Sequence, residues 1–194
     1  SGALRDRRPA FVLTTSHGMT GPLDDPPAMA AQLGLPVDDG HRVLDAAQLL
    51  GAWQPDGAIW YSHACCSAGS DRRTRYAGLV TPGPSVDRVL QGVASVGARV
   101  APLPTALLGA SRPLRAFVGH VEPTFDWTLR APATGQVLTA TLVKALYGGL
   151  FRTRPETIGM ALDRCFDHVG ELLAQYYQAL DDVNAGVAGA EVEA

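Results

Sequence analysis

The sequence holds a single lysine, Lys144, against 15 arginines, only 3 cysteines and 3 methionines, and no apolar run that approaches the roughly 18 to 20 residues needed to span a bilayer. Each scarcity excludes something. Without such a run, and without the basic, apolar, small-residue order of a signal peptide at the N-terminus, the expectation is a soluble protein with no membrane partner. The formal net charge of −3 lacks the basic excess of a dedicated nucleic-acid binder. The surplus of arginine over lysine fits the base composition of a genome better than a binding surface. An odd number of cysteines, two of them adjacent at Cys65 and Cys66, gives no disulfide framework. Reduced thiols in a cytoplasm are expected, and each is a packing residue, a metal ligand or a nucleophile.

What is present is enough for about one domain: 194 residues, 46% of them hydrophobic. Residues 1–9 are polar and Arg-rich and are expected to form a flexible leader, 10–184 the domain, and 185–194 a frayed Ala/Gly/Glu tail. Ala10 to Thr15, Ala58 to His63 and Leu114 to Val118 are short, continuous apolar runs, as strands covered on both faces are. Helical spacing occurs from about Pro27 to Leu33, within Val43 to Trp53, after a Ser85 cap, over Leu103 to Leu108 and over Gln136 to Tyr147, which ends at Gly148-Gly149. A last helix follows the capping-box pattern Thr153-Arg154-Pro155-Glu156. Cys65 to Pro84 and Val121 to Thr134 are expected to be loops. Strands separated by helices imply an α/β fold with a mainly parallel sheet. Three strands are few, so either weak segments such as Arg42-Val43-Leu44 and Ala98-Arg99-Val100 add to the sheet or strands upstream are missing.

Two strand ends carry the chemistry. The first strand runs into Ser16-His17-Gly18, and the second into His63-Ala64-Cys65-Cys66-Ser67-Ala68-Gly69. In open α/β sheets ligands bind outside the carboxyl ends of the strands, so neighbouring parallel strands would bring His17 and the cysteines to one crevice. An imidazole beside a thiol can take its proton and so produce a nucleophile able to attack an amide carbonyl. Gly18, which has no Cβ, and the cysteine's own backbone N–H can supply oxyanion donors.

These motifs, with the histidine before the cysteine and each at a strand end, resemble the caspase-type cysteine peptidases, the clan of caspases, gingipains, separases and bacterial CHAT-domain proteases. Ser62 to Gly69 is most similar to the gingipain-like and CHAT branches, and Phe117-Val118-Gly119-His120-Val121 looks like a strand downstream of the cysteine in bacterial members. The resemblance covers roughly Ala10 to Trp127. It implies a three-layer αβα caspase-like sandwich, with His17 as general base, Cys65 as nucleophile because it follows Ala64, and the Gly18 and Cys65 N–H groups as the oxyanion hole. It implies a protein or peptide substrate and no cofactor. The family fold has strands before the histidine strand, so a partner chain or regulatory domain is expected to complete the sheet.

Other readings stand beside these. Cys66 and Cys165 are expected to be buried packing residues. His17, His63, Cys65 and Cys66 could ligate zinc, but adjacent residues diverge and no Cys-x-x-Cys pair exists, so no metal is expected. Asp24, Asp71, His63 and His120 are candidates for the substrate pocket, and Asp25, Arg72, Arg73 and Arg75 lie on the same loops; solvated loop charge is the ordinary state of such residues. By resemblance alone, a basic residue is expected before the scissile bond. A catalytically inactive member that keeps the fold as a regulatory or protein-interaction module is the alternative function. His41 and His168 are expected on the surface or on a helix face.

Overall fold

The computed structural model describes residues 2–40, 42–125 and 139–186. In chain order they form α1 (Gly2–Arg7), β1 (Phe11–Thr15), β2 (His17–Gly18), α2 (Pro26–Gln32), β3 (Pro36–Val37), α3 (Ala46–Ala52), β4 (Ile59–His63), β5 (Gly69–Ser70), α4 (Ser85–Ser95), β6 (Arg99–Val100), α5 (Pro102–Leu108), β7 (Ala116–Val118), α6 (Thr139–Leu150) and α7 (Ile158–Asn184). The chain divides into two compact units, Ser1–Phe125 and Asp126–Ala194.

The three apolar runs become a parallel sheet in the order β1-β4-β7. Phe11 pairs with Ile59 and Thr15 with His63, while Ile59 pairs with Ala116 and Tyr61 with Val118. Because strand side chains alternate, Val12, Trp60 and Phe117 share one face. All of β4 is buried, as befits the central strand. Trp60 heads a core with Val12, Leu35, Leu49, Trp53, Ala58, Leu103, Leu107 and Leu114, and its indole N–H donates to Thr14 Oγ1 at 2.9 Å, which leaves no unpaired polar atom on the ring.

The helices on this core follow from local signals. α3 is capped by the Asp45 carboxylate, which accepts from the Ala47 and Gln48 N–H groups, and it buries Leu49. α5 opens with Pro102 and buries Leu103 and Leu107 one turn apart. Burial of each such leucine contributes about 2 kcal/mol. A second cluster joins Met29 and Leu33, from α2 and its C-terminal cap position, to Cys66 and to Val93 and Val96, from α4 and its cap position.

The described chain is therefore mixed α/β with a three-stranded parallel sheet, compatible with a layered sandwich. Several details differ from expectation. Gly2–Arg7 is helical, and Leu4 packs against the Trp60 core instead of lying in a loose leader. The two weak segments do not extend the parallel sheet: Val43 makes one bridge to Val37, and Arg99–Val100 pairs antiparallel with β5. They are too short and, at Arg99 and Val100, too exposed to serve as inner strands. Ser85 is the first residue of α4 and not its cap, a position held by Pro84.

In the second unit α6 runs through Gly148 and Gly149 to Leu150. A Cβ on Gly149 would lie 2.6 Å from the Ala161 Cβ, so this glycine permits close helix packing and does not end the helix. The cap of α7 is Thr157, whose side chain accepts from the Met160 N–H, and not Thr153; the Glu156 N–H goes to the Gly149 carbonyl instead. Among the described residues no helix is long and apolar enough to cross a membrane. The expectations for His41, for the loop over 126–134, for the start of a helix at 136–138 and for the tail beyond 186 lie outside the described residues, as do those for the Cys165 and His168 side chains.

Candidate active site

The parallel pairing of β1 with β4 sets the site. Past Thr15 the Ser16 N–H donates to the His63 carbonyl at 3.2 Å, and the chain turns into β2, which pairs antiparallel with β3. His17 is exposed there, and its ring has no hydrogen-bond partner among the described residues. Gly18 is pressed against the other motif. A Cβ at position 18 would stand 2.0 Å from the Cys65 carbonyl oxygen and 2.9 Å from both the Cys65 nitrogen and carbonyl carbon. Only glycine fits this approach, and it places the His17-Gly18 pair directly on the backbone of Cys65.

The turn after β4 is held from several sides. The Cys66 N–H donates to the Glu122 carbonyl at 3.0 Å, the Ala68 N–H to the His120 carbonyl at 2.8 Å and the Gly69 N–H to the Cys66 carbonyl at 3.0 Å. Ser67 Oγ donates to the Ser62 carbonyl and accepts the His120 N–H. Gly34, at φ +69°, leaves room for the Cys66 carbonyl, which a Cβ there would meet at 2.1 Å. Cys66 itself has φ +53°, a left-handed conformation costing a non-glycine residue about 1 kcal/mol.

This kink separates the two thiols. Cys66 is wholly buried in the Met29–Leu33–Val93–Val96 cluster, and burial, reinforced by the neighbouring Cys65 and Glu122 charges, pushes its thiol far up. Such a thiol is inert as a nucleophile. Cys65 is partly exposed and free. Its Sγ donates to the Thr124 carbonyl at 3.2 Å and accepts the Thr124 N–H at 3.3 Å. Among the described residues no acceptor takes the Cys65 backbone N–H.

His63 and His120, both expected in the pocket, face each other: His120 Nε2 lies 3.0 Å from His63 Nδ1, with the rings nearly perpendicular. Burial first, then the charge of His63, holds His120 down to about 4, and burial lowers His63 as well. Asp24 and Asp71 are exposed. Asp71 accepts its neighbour Arg72's N–H, and neither aspartate is hydrogen-bonded to His17 or Cys65.

Two residues at the site escaped the sequence: Glu122 and Thr124. The Glu122 carboxylate accepts from Thr74 Oγ1 at 3.1 Å and from the Arg75 N–H at 2.8 Å. Tyr76 donates its hydroxyl to the Pro123 carbonyl at 3.3 Å and packs edge-on against Phe125. Nothing in periodicity or motif marks them; their position just past the third strand is the only signal. Among the described residues no group of three or more His, Cys, Asp or Glu could hold a metal ion.

Compared with family models, with curated proteins and with solved structures, the chain matches none.

Proposed function

We propose that the chain is a caspase-like cysteine endopeptidase, acting in a bacterial cytoplasm and controlled by a partner or fused domain, with Cys65 as nucleophile and His17 as general base. The observation that carries this reading is the close approach of Gly18 to the Cys65 backbone, which brings the His17-Gly18 main chain against the one of the two adjacent cysteines whose thiol is partly exposed.

In the proposed cycle the His17 imidazole takes the Cys65 Sγ proton and the sulfur adds to the scissile carbonyl carbon. The carbonyl electron pair moves onto its oxygen, which the Cys65 and Gly18 N–H groups receive. Collapse expels the amine, which takes the proton from His17, and leaves a thioester. Water then attacks the thioester, giving its proton to His17, and the acid product leaves as the sulfur recovers that proton. No metal or organic cofactor enters these steps. The unclaimed Cys65 N–H supports its role as an oxyanion donor.

One observation favours a second reading, a non-catalytic module of the same fold. The Cys65 sulfur spends its hydrogen bonds on Thr124, and the His17 ring makes none among the described residues. Hydrolysis of fluorogenic peptides ending in Arg or Asp separates the two readings. Turnover that disappears in folded Cys65→Ala supports the peptidase; equal signal from wild type and variant supports the module.

A further inference from the structure

The Cys65 sulfur does not sit open in a crevice. The segment 122–125 lies across it, and Thr124 meets the sulfur with both of its backbone polar groups, carbonyl at 3.2 Å and N–H at 3.3 Å, with its hydroxyl at 3.7 Å. Both hydrogen-bonding roles of the sulfur, donor and acceptor, are thus taken by the Thr124 main chain.

The segment is itself fastened from the outside. Glu122 carries both ends of the fastening: its carbonyl takes the Cys66 N–H, and its carboxylate takes the Thr74 hydroxyl and the Arg75 N–H. Thr74 and Tyr76 alternate inward toward Glu122 and Pro123, whereas Arg73 and Arg75 between and beside them are exposed. Two hydrogen bonds from a half-exposed carboxylate to an otherwise irregular loop are the kind of contact that opens locally without unfolding the domain.

We propose that residues 122–125 form a strap that caps the Cys65 thiol, and that Glu122 is the latch that keeps it shut. This rests on Cys65 being the reactive thiol of the proposed peptidase and adds how that thiol is regulated: whatever draws the Thr74–Tyr76 loop off Glu122 releases Thr124 from the sulfur. A peptide occupying the cleft, or a partner binding the loop, would act in this way.

The rate of Cys65 carbamidomethylation by iodoacetamide at fixed pH, followed by mass-spectrometric peptide mapping on the full chain, tests the strap without requiring protease activity. Glu122→Ala removes both side-chain acceptors and is expected to raise the rate about tenfold by opening the segment. Glu122→Gln can still accept from the Arg75 N–H and donate to the Thr74 oxygen, and should stay within about twofold of wild type. A folded Glu122→Ala no faster than wild type, or a Glu122→Gln as fast as Glu122→Ala, overturns the latch. Should Glu122→Ala lose its cooperative melt, Thr74→Val decides, since it leaves the Glu122 side chain in place and removes the hydroxyl that donates to it and accepts the Tyr76 N–H: a rate about threefold above wild type supports the strap, and an unchanged rate overturns it. Accelerated alkylation without peptide hydrolysis in any form would keep the strap and remove the peptidase reading.

Discussion

Gly18 and Cys65 are in backbone contact: a methyl group added at position 18 would stand 2.0 Å from the Cys65 carbonyl oxygen. The contact joins the ends of two neighbouring parallel strands, so the histidine motif and the cysteine motif are held as one piece by main chain alone.

Gly18→Ala is therefore expected to force the turn after β4 away from β2, because the obstacle is backbone and not the tip of a flexible side chain. The cost should be more than about 2 kcal/mol, read as a fall in the denaturant midpoint, with loss of whatever activity Cys65 supports. A variant with wild-type stability would show that the two motifs are not in contact.

The adjacent cysteines should behave differently when truncated. Cys66→Ala removes a small buried group from the Met29 cluster and should cost on the order of 1 kcal/mol, with the Cys65 thiol still alkylated at its usual rate. Cys66→Ser places a hydroxyl in the same apolar site and should cost about 1 kcal/mol more. Rapid alkylation at Cys66 in the native protein would contradict the assignment.

The histidine pair sets an acid limit on stability. His120 is held at about 4, below its usual 6.5, so between these values the unfolded chain binds a proton that the native chain refuses. Stability is then full above about pH 6.5, falls as the pH drops toward 4, and levels off for this group below that. The loss is on the order of 3 kcal/mol, and the lowered His63 adds in the same direction. Denaturation midpoints from pH 8 to pH 4 should show this slope, and His120→Gln should flatten it; a slope unchanged in that variant would mean that other groups cause it.

The sheet was legible because its strands are buried and so are written as continuous apolar runs: Phe11 to Thr15, Ile59 to His63 and Ala116 to Val118 fall inside the segments their composition marks. The two-residue strands were harder to see. Arg99–Val100 was marked as a weak strand segment, but not its antiparallel pairing with Gly69–Ser70, while His17–Gly18, Pro36–Val37 and Gly69–Ser70 owe their pairing to chain segments brought together by the fold, and their side chains carry no period. Helix ends shifted for a similar reason: Thr153 and Thr157 both begin plausible caps, and the hydrogen bond from Glu156 N–H to the Gly149 carbonyl leaves Thr157 to begin α7. At the site, His17, Gly18 and Cys65 were visible as reactive or small residues at strand ends. Glu122 and Thr124 were invisible because they act through a carbonyl, an N–H and one loop-bound carboxylate, groups that nearly any sequence supplies.

The central claim is that His17 activates Cys65, and a peptidyl acyloxymethyl ketone with Arg next to the ketone tests it most directly, since it alkylates a thiol only when a base assists and the backbone donors are in place. Intact-mass and peptide-mapping measurements should show one adduct per chain on Cys65. Labelling should fall by at least about a hundredfold in folded His17→Ala. Labelling that is unaffected by His17→Ala, or an adduct on Cys66, would contradict the account.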